Sequence, residues 1–201
     1  MKLVLATANQ HKVEEIKNYL KGLPLDILYL ENFPEVVLKE EGKTLRENAL
    51  QKARTAAQKT KLWALGDDTG LFVEALEGRP GVFSSRYAGE QANYKENTKK
   101  LLMEMRDVPE KNRDAYFSCV LALVHSDGRE VVVEGRLEGM ITKEPRGDKG
   151  FGYDPVFWLP DRGCTLAEIS LEEKNKISHR GRALFKMKGV LEGLLKMEGD
   201  F

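Results

Sequence analysis

Along the first half of the chain, short apolar runs alternate with segments whose apolar residues recur at helical spacing. Two longer runs, rich in residues that favour β-strands, follow. Residues 2–7 and 25–30 have the length and composition of strands, and between them Asn9 caps a predicted helix. The later runs, residues 115–125 and 130–141, flank the sequence Ser-Asp-Gly-Arg, which is typical of a hairpin turn. A chain with early alternation and a late hairpin predicts an α/β fold, in which a mixed twisted sheet carries helices on its faces.

Capping signals and apolar periodicity predict further helices. Thr44 and Glu47 form a capping-box pattern at the start of one helix, and residues 93–105 predict another. Ser178 caps a final helix, whose apolar stripe we expect to lie in the core. That stripe consists of Leu184, Met187, Val190, Leu191, Leu194 and Leu195. No repeat, low-complexity segment or linker rich in proline and glycine divides the chain, so residues 1–201 predict a single domain.

Composition limits the classes of partner. Lys and Arg together number 32, as do Asp and Glu, so the formal net charge is +0. Without a global basic field, neither a nucleic acid nor a membrane surface is an expected partner, and any anion site must be a local cluster. The two cysteines lack metal-ligand spacing and predict free thiols. The N-terminus lacks a signal-peptide pattern and no apolar run approaches the roughly 20 residues of a membrane span, which predicts a cytoplasmic protein.

The first polar cluster lies where the first strand meets the first helix. It consists of Thr7, Asn9 and Lys12. The N–H groups at a helix N-terminus favour an anion, and the hydroxyl, amide and ammonium groups add donors for phosphate. The alternative is an ordinary helix cap followed by a solvated lysine, and the spacing alone leaves both interpretations open.

The second cluster is Asp67-Asp68-Thr69-Gly70, between strand-like residues 62–66 and 71–76. Two carboxylates after an apolar strand suit Mg²⁺, which takes one or two protein carboxylates and fills its other positions with water and phosphate oxygens. A carboxylate there could also orient or deprotonate an attacking water. An Asx turn explains the same residues and stays an alternative. The triplet Asp-Thr-Gly also occurs in aspartic proteases, but those proteins are all-β and pair two such triplets, so that class is excluded.

An acidic pair, Glu40-Glu41, precedes the helix that Thr44 caps and offers a further metal carboxylate, or else a solvated pair near a helix N-terminus. The neighbouring Gly-Lys-Thr resembles the end of a P-loop. Val37 stands where that motif requires its upstream glycine, so no P-loop is predicted.

Two further clusters occur late in the chain. In the glycine-rich segment 147–155, Phe151 and Tyr153 could stack on a base and Asp154 could accept hydrogen bonds, although a mobile hairpin loop is the alternative. Lys174 and the sequence Ser178-His179-Arg180 form a donor set for a keto-purine edge or a phosphate.

Taken together and in this order, the clusters resemble the inosine triphosphate pyrophosphatase family, the deaminated-purine nucleoside-triphosphate pyrophosphatases. The matching stretches are residues 5–12, 66–71, 78–89, 150–155 and 178–180. The resemblance runs nearly from end to end, and the joint pattern is far more specific than any one motif.

The resemblance implies two lobes around a central cleft, a homodimer, and Mg²⁺-dependent hydrolysis of ITP, dITP and XTP to the monophosphate and pyrophosphate. It implies that Asp68 is the catalytic base and a Mg²⁺ ligand, with a second metal carboxylate at Glu40 or Glu41, of which Glu40 is favoured. Residues 7–12 would bind the triphosphate, and the later clusters the base and ribose. The implied substrate-binding residues are Thr7, Ala8, Asn9, Gln10, His11, Lys12, Thr69, Phe151, Gly152, Tyr153, Asp154, Lys174, His179 and Arg180.

Two other functions compete with this one. A related pyrophosphatase acting on pyrimidine or modified nucleotides would share the fold, but the Ser-His-Arg cluster matches the keto-purine family. A non-catalytic nucleotide sensor belongs to a different class. Asp68 and its acidic neighbours argue against a sensor, because a simple phosphate binder has little use for carboxylates beside its anion.

Overall fold

The structure of the protein is a computed structural model that describes residues 1–199. Eight strands form one sheet with the order β2-β1-β3-β5-β6-β7-β8, and β4 pairs with β3. The strands are β1 (Lys2–Ala6), β2 (Asp26–Tyr29), β3 (Trp63–Val73), β4 (Pro80–Gly81), β5 (Asp114–Val124), β6 (Glu130–Ile141), β7 (Phe157–Leu159) and β8 (Cys164–Thr165).

Within residues 1–199, five α-helices accompany the sheet. They are α1 (Gln10–Leu20), α2 (Leu45–Thr60), α3 (Tyr94–Glu104), α4 (Leu171–Ile177) and α5 (His179–Gly199). β1 pairs in parallel with both β2 and β3, whereas β4, β7 and β8 pair antiparallel with their neighbours. The predicted α/β class with a mixed sheet is therefore confirmed. Within residues 1–199, no helix is both long and apolar enough to cross a lipid bilayer.

The local signals at Asn9 and Thr44 correspond to observed helix caps. The Asn9 side chain accepts hydrogen bonds from the backbone N–H groups of His11 and Lys12. Thr44 Oγ1 accepts from the Glu47 N–H at 3.1 Å, and the Glu47 carboxylate accepts from the Thr44 N–H at 3.2 Å, which completes the capping box. Each cap satisfies N–H groups that the first helical turn leaves unpaired.

The chain forms two compact units. The first contains Met1–Asp68, Cys119–Gly135 and the described residues from Arg180 onward, and the second contains Thr69–Ser118 and Arg136–His179. The assignment of residues 1–201 to a single domain stays a prediction.

The core of the first unit lies between its strands and the apolar faces of α1 and α5. From α5, Leu184, Met187 and Leu191 are fully buried, and Val190 and Leu194 pack against the same cluster. The predicted core stripe is thus confirmed for these five residues, and Leu195 is half-buried. Burying each Leu-sized side chain contributes about 1.5–3 kcal/mol, so this packing holds the start of α5 firmly against the sheet.

Residues 67–70 do not form the turn that their composition suggests. β3 continues through them without a break, from Trp63 to Val73. Asp and Gly are rare in strands, but parallel pairing with β1, which reaches Ala6 opposite Gly66, carries the strand up to the acidic pair. The two strand-like runs, residues 62–66 and 71–76, are therefore joined in one strand that ends at Val73, and the alternative of an Asx turn between them is wrong, because tertiary pairing overrides the local preference. Helix α4 was not predicted, although Ser170 and Glu173 form a capping box at its start.

Candidate active site

Asp67 and Asp68 occupy adjacent positions in β3, and successive side chains of a strand point to opposite faces of its sheet. Both carboxylates are buried. Because a buried charge needs partners, each must find them on its own side of the sheet. Asp67 pairs with residues of α1 and α5, and Asp68 pairs with residues of α2.

The approach of α2 to β3 depends on Gly66. A Cβ atom at that position would collide with the carbonyl oxygen of Ala49, so the helix backbone lies directly against the strand. Asn48 and Lys52 are four residues apart in α2 and therefore share one helical face. This close contact carries both side chains to Asp68.

Asp68 accepts two hydrogen bonds from α2. Lys52 Nζ donates to Asp68 Oδ1 at 3.0 Å, and Asn48 Nδ2 donates to Asp68 Oδ2 at 3.1 Å. Lys52 Nζ also donates to Glu40 Oε1 at 2.5 Å, so one ammonium bridges two carboxylates. The Asn48 Oδ1 atom accepts from the Gly42 N–H at 2.8 Å, which ties the loop of Glu40 to the helix.

The structure brings Glu40 rather than Glu41 to this cluster. The carboxylate of Glu40 is half-buried against Lys52. Glu41 is exposed and pairs with Lys39 at 3.4 Å.

The pKa values of Asp68 and Lys52 are both raised, for different reasons. Burial raises the pKa of Asp68, Glu40 adds to that effect, and Lys52 and Lys12 oppose it. Burial alone would lower the pKa of Lys52, but Asp68 and Glu40 raise it above the usual lysine value. Lys52 therefore stays charged, while Asp68 is a stronger proton acceptor than an exposed aspartate.

Asp67 is held by two cations on the other side of the strand. Arg180 Nε donates to Asp67 Oδ2 at 2.7 Å, and Lys12 Nζ lies 2.6 Å from Asp67 Oδ1. The Cys119 thiol also donates weakly to Oδ2 at 3.4 Å. Although burial opposes ionisation, Arg180 and Lys12 hold the pKa of Asp67 well below its usual value. Asp67 is therefore a fixed anion that orients cations, which leaves Asp68 as the carboxylate suited to proton transfer.

The predicted triphosphate cluster lies at the N-terminus of α1. Thr7 Oγ1 accepts from the Asn9 N–H at 3.2 Å, and Lys12 Nζ reaches the Asp67 carboxylate and its carbonyl oxygen. Ala8, Gln10 and His11 are exposed. The Lys12 ammonium and the positive end of the α1 dipole favour a phosphate at this end of the helix, where the Asn9 side chain accepts from the N–H groups of His11 and Lys12.

The late glycine-rich segment forms a separate cluster in the second unit. Asp154 Oδ2 accepts from Lys174 Nζ at 2.6 Å and from the Phe151 N–H at 2.9 Å. A Cβ atom at Gly150 would collide with the same carboxylate oxygen, so this position requires glycine. Lys174 Nζ lies 4.7 Å from the centre of the Phe151 ring, so a buried ammonium, a carboxylate and a half-buried aromatic ring meet here.

The remaining predicted residues have different surroundings. Tyr153 is buried and its hydroxyl donates to the Ser84 carbonyl at 2.9 Å, whereas the Phe151 ring is partly exposed. Gly152 and Thr69 are half-buried. His179 is buried and stacks on Phe117, with ring centres 4.4 Å apart.

The Arg180 side chain is enclosed in the first unit. Its guanidinium pairs with Asp67 and, at 2.6 Å, with Glu15. The side chain predicted to contact substrate is thus bound to two buried carboxylates.

Sequence reasoning missed Lys52, Asn48 and Glu15. A signal for Lys52 existed, because it lies three residues after Ala49 and four before Ala56, on the face of α2 that carries the small apolar residues. A lysine on such a face needs a buried anion. The sequence carries no comparable signal for Glu15, because nothing distinguishes it from its neighbour Glu14, which is exposed.

The residues present fit Mg²⁺. Among residues 1–199, no group of three or more His, Cys, Asp and Glu side chains surrounds one point. Mg²⁺ needs only one or two protein carboxylates when substrate phosphates supply further oxygens. Glu40 and Asp68 present carboxylate oxygens that converge on one cation, the Lys52 ammonium, and this is a donor set of that kind.

Comparisons with known proteins agree with the motifs. A sequence model of the Ham1 family matches residues 3–190. A dITP/XTP pyrophosphatase of Thermoanaerobacter sp. (strain X514) is 50% identical over 192 residues, which are 95% of this chain and 96% of that relative. A dITP/XTP pyrophosphatase of Geobacter sulfurreducens is 50% identical over 191 residues, covering 94% and 96% of the two chains. The structure of a HAM1 protein from Coxiella burnetii superposes with a TM-score of 0.88 at 42% identity, over 96% of this chain and 99% of that one. The predicted family resemblance is confirmed.

Proposed function

We propose that this chain, which belongs to the Ham1 family, hydrolyses deaminated purine nucleoside triphosphates such as ITP, dITP and XTP to the monophosphate and pyrophosphate. The observation that carries the proposal is the near-complete match, at 50% identity, to relatives named for dITP and XTP. The buried acidic pair with its cations supplies the chemistry that such a reaction needs. A related pyrophosphatase for pyrimidine or modified nucleotides is disfavoured because these relatives carry purine names.

Asp68 acts as the general base in this proposal. It takes a proton from the attacking water, whose oxygen forms a bond to a phosphorus of the α–β linkage as the bond to the leaving oxygen breaks. The burial of Asp68 beside Lys52, on the ammonium that also binds Glu40, supports this role. Lys12 binds the triphosphate of the substrate, and Lys52 donates to the phosphate oxygens on which negative charge develops.

Mg²⁺ is the proposed cofactor, held by Asp68 and Glu40. A bound ion would supply charge neutralisation for the triphosphate and its pyrophosphate leaving group. The Lys52 ammonium binds both carboxylates, of Glu40 and Asp68, and so holds them close together.

We assign residues 7–12 and Thr69 to binding of the triphosphate. The residues assigned to binding of the base and ribose are Phe151, Gly152, Tyr153, Asp154, Lys174, His179 and Arg180. Phe151 offers a ring face, and Lys174 offers an ammonium fixed by Asp154. Since the Arg180 guanidinium is engaged by carboxylates, residue 180 is assigned a contact through its backbone N–H. Hypoxanthine and xanthine present an O6 acceptor to these donors. Adenine presents an amino donor, which would leave them unpaired.

The test is pyrophosphate release from a panel of dITP, XTP, dATP, dGTP, dCTP and dTTP. We expect kcat/KM for dITP to exceed that for dATP by about 5- to 150-fold, since one orphaned donor costs about 1–3 kcal/mol. EDTA should abolish turnover and added Mg²⁺ should restore it. A preference for dCTP or dTTP, or equal rates across the panel, would overturn the substrate assignment.

Further proposals concern assembly and location. We propose a homodimer, for which light scattering should give twice the 22.7 kDa of one chain. A cytoplasmic location, where the nucleotide pool lies, is likewise proposed, as is a single folding domain, which a single cooperative unfolding transition would support.

A further inference from the structure

Glu15 is a buried acid that the reaction proposed above does not use. It lies in α1, three residues after Lys12, and only 4% of its surface is exposed. Its Oε2 atom accepts a hydrogen bond from Arg180 Nη1 at 2.6 Å. Burying a carboxylate is costly unless a cation compensates it, so Glu15 and Arg180 depend on each other.

Arg180 connects Glu15 to the cluster beside Asp68. Its Nε and Nη2 atoms donate to the two oxygens of Asp67, at 2.7 and 3.4 Å. Asp67 in turn binds Lys12 Nζ at 2.6 Å. Glu15, Arg180, Asp67 and Lys12 therefore form a chain of alternating charge that starts and ends on α1 and passes through α5 and β3.

We propose that Glu15 is a positioning residue, which fixes the ammonium of Lys12 through Arg180 and Asp67. The inference rests on the proposed function, in which Lys12 binds the triphosphate. When Glu15 is replaced by a neutral residue, Arg180 loses one of the two carboxylates in this series of charges, keeps Asp67, and moves closer to it. Asp67 then has less charge to offer Lys12, and the ammonium loses its fixed orientation.

The main test compares Glu15→Gln with Glu14→Gln, since Glu14 is the exposed neighbour on the same helix. With dITP as substrate, we expect Glu15→Gln to lower kcat/KM about tenfold, within the range of coupling for residues that share a network. Most of the change should lie in KM, because Lys12 binds the substrate. Glu14→Gln should stay close to the unmodified protein.

A double-mutant cycle separates positioning from a merely structural role. In a Lys12→Met background the effect of Glu15→Gln should nearly disappear, because its route to the substrate is already lost. An equal loss of kcat/KM in both backgrounds would overturn the proposal. If Glu15→Gln does not fold, Glu15→Asp replaces it in the same cycle, because it keeps the charge but shortens the reach. Where Glu15→Gln does fold, Glu15→Asp should recover part of the lost kcat/KM.

A measurement that does not depend on catalytic activity distinguishes the positioning role of Glu15 from the proposed function. Lys12 can be labelled with an amine-reactive acylating reagent and quantified by peptide mass spectrometry. Labelling of Lys12 should be faster in Glu15→Gln than in the unmodified protein or Glu14→Gln, because the ammonium is held less firmly. Unchanged labelling would overturn the positioning role. Absence of dITP turnover in the unmodified protein, together with faster labelling, would instead overturn the proposed function alone.

Discussion

Replacing Asp68 with asparagine keeps the shape of the side chain and removes its charge. Asp68 accepts from two donors, Lys52 Nζ and Asn48 Nδ2. An amide has only one oxygen, so its NH₂ group must face one of these donors. Asn48 cannot rotate its amide to help without losing the hydrogen bond that its Oδ1 accepts from the Gly42 N–H. Each arrangement therefore turns one buried hydrogen bond into a contact between two donors, although Lys52 keeps its bond to Glu40.

The cost of Asp68→Asn to the stability of the fold follows from the lost hydrogen bond. One orphaned buried donor costs about 1–3 kcal/mol. For a chain of about 200 residues that corresponds to a fall in Tm of about 2–12 °C. The raised pKa of Asp68 means that its negative charge is unfavourable in the folded chain, so removing it offsets part of the loss. We expect a Tm change at the lower end of this range.

The cost to activity is expected to be much larger. Loss of a general base lowers turnover by about 10²- to 10⁴-fold. Pyrophosphate release from dITP at saturating Mg²⁺ measures turnover, and circular dichroism with a thermal scan verifies the fold. Asp107→Asn, at an exposed aspartate, is the matched control. A folded Asp68→Asn protein that keeps turnover within a few-fold of the control would refute the assignment of Asp68 as the base.

Three other outcomes follow from the same contacts. Lys12→Met should raise KM for dITP about tenfold or more, because it removes a charge-assisted contact of about 1.5–3 kcal/mol. The control Lys17→Met, at an exposed lysine of the same helix, should leave KM unchanged. Equal KM values for the two variants would contradict the contact between Lys12 and phosphate. Arg180→Ala leaves Asp67 and Glu15 buried without their guanidinium, so urea unfolding should show a loss of about 3–5 kcal/mol, and a loss below 1 kcal/mol would contradict the pairing. The pKa of Asp67 is lowered in the folded chain, so its stabilising contribution is complete above its unfolded pKa of about 3.8 and declines as the pH falls through the folded value. The stability gap between the unmodified protein and Asp67→Asn should therefore be largest near neutral pH and shrink in acid, as the pH falls through the lowered folded pKa, and a gap that widens in acid would contradict it.

Features with a local cause were predictable from the sequence. The caps at Asn9 and Thr44 join residues two or three positions apart, and both were predicted. The hairpin turn was also predicted, and the His125 N–H donates to the Arg129 carbonyl across it at 2.9 Å. The α5 stripe was predictable because helical periodicity depends only on spacing.

Features that depend on distant partners were not predictable in this way. Local preference leaves an Asx turn open as an alternative at residues 67–70, but sheet pairing and buried cations hold these residues in a strand. Glu15 and Arg180 are 165 positions apart, so nothing near Glu15 in sequence reveals its partner. Glu40 could not be separated from Glu41 by spacing, because the distinction arises from the reach of Lys52 across the loop.

The most direct test of the proposed function is the identity of the first products formed from dITP. The purified protein would be incubated with dITP and Mg²⁺, and early time points would be resolved by anion-exchange chromatography with ³¹P NMR of the mixture. The account predicts dIMP and pyrophosphate in equal amounts, with neither dIDP nor free phosphate among the initial products. Initial formation of dIDP and free phosphate would contradict cleavage at the α–β linkage, and an absence of dITP turnover would contradict the function itself.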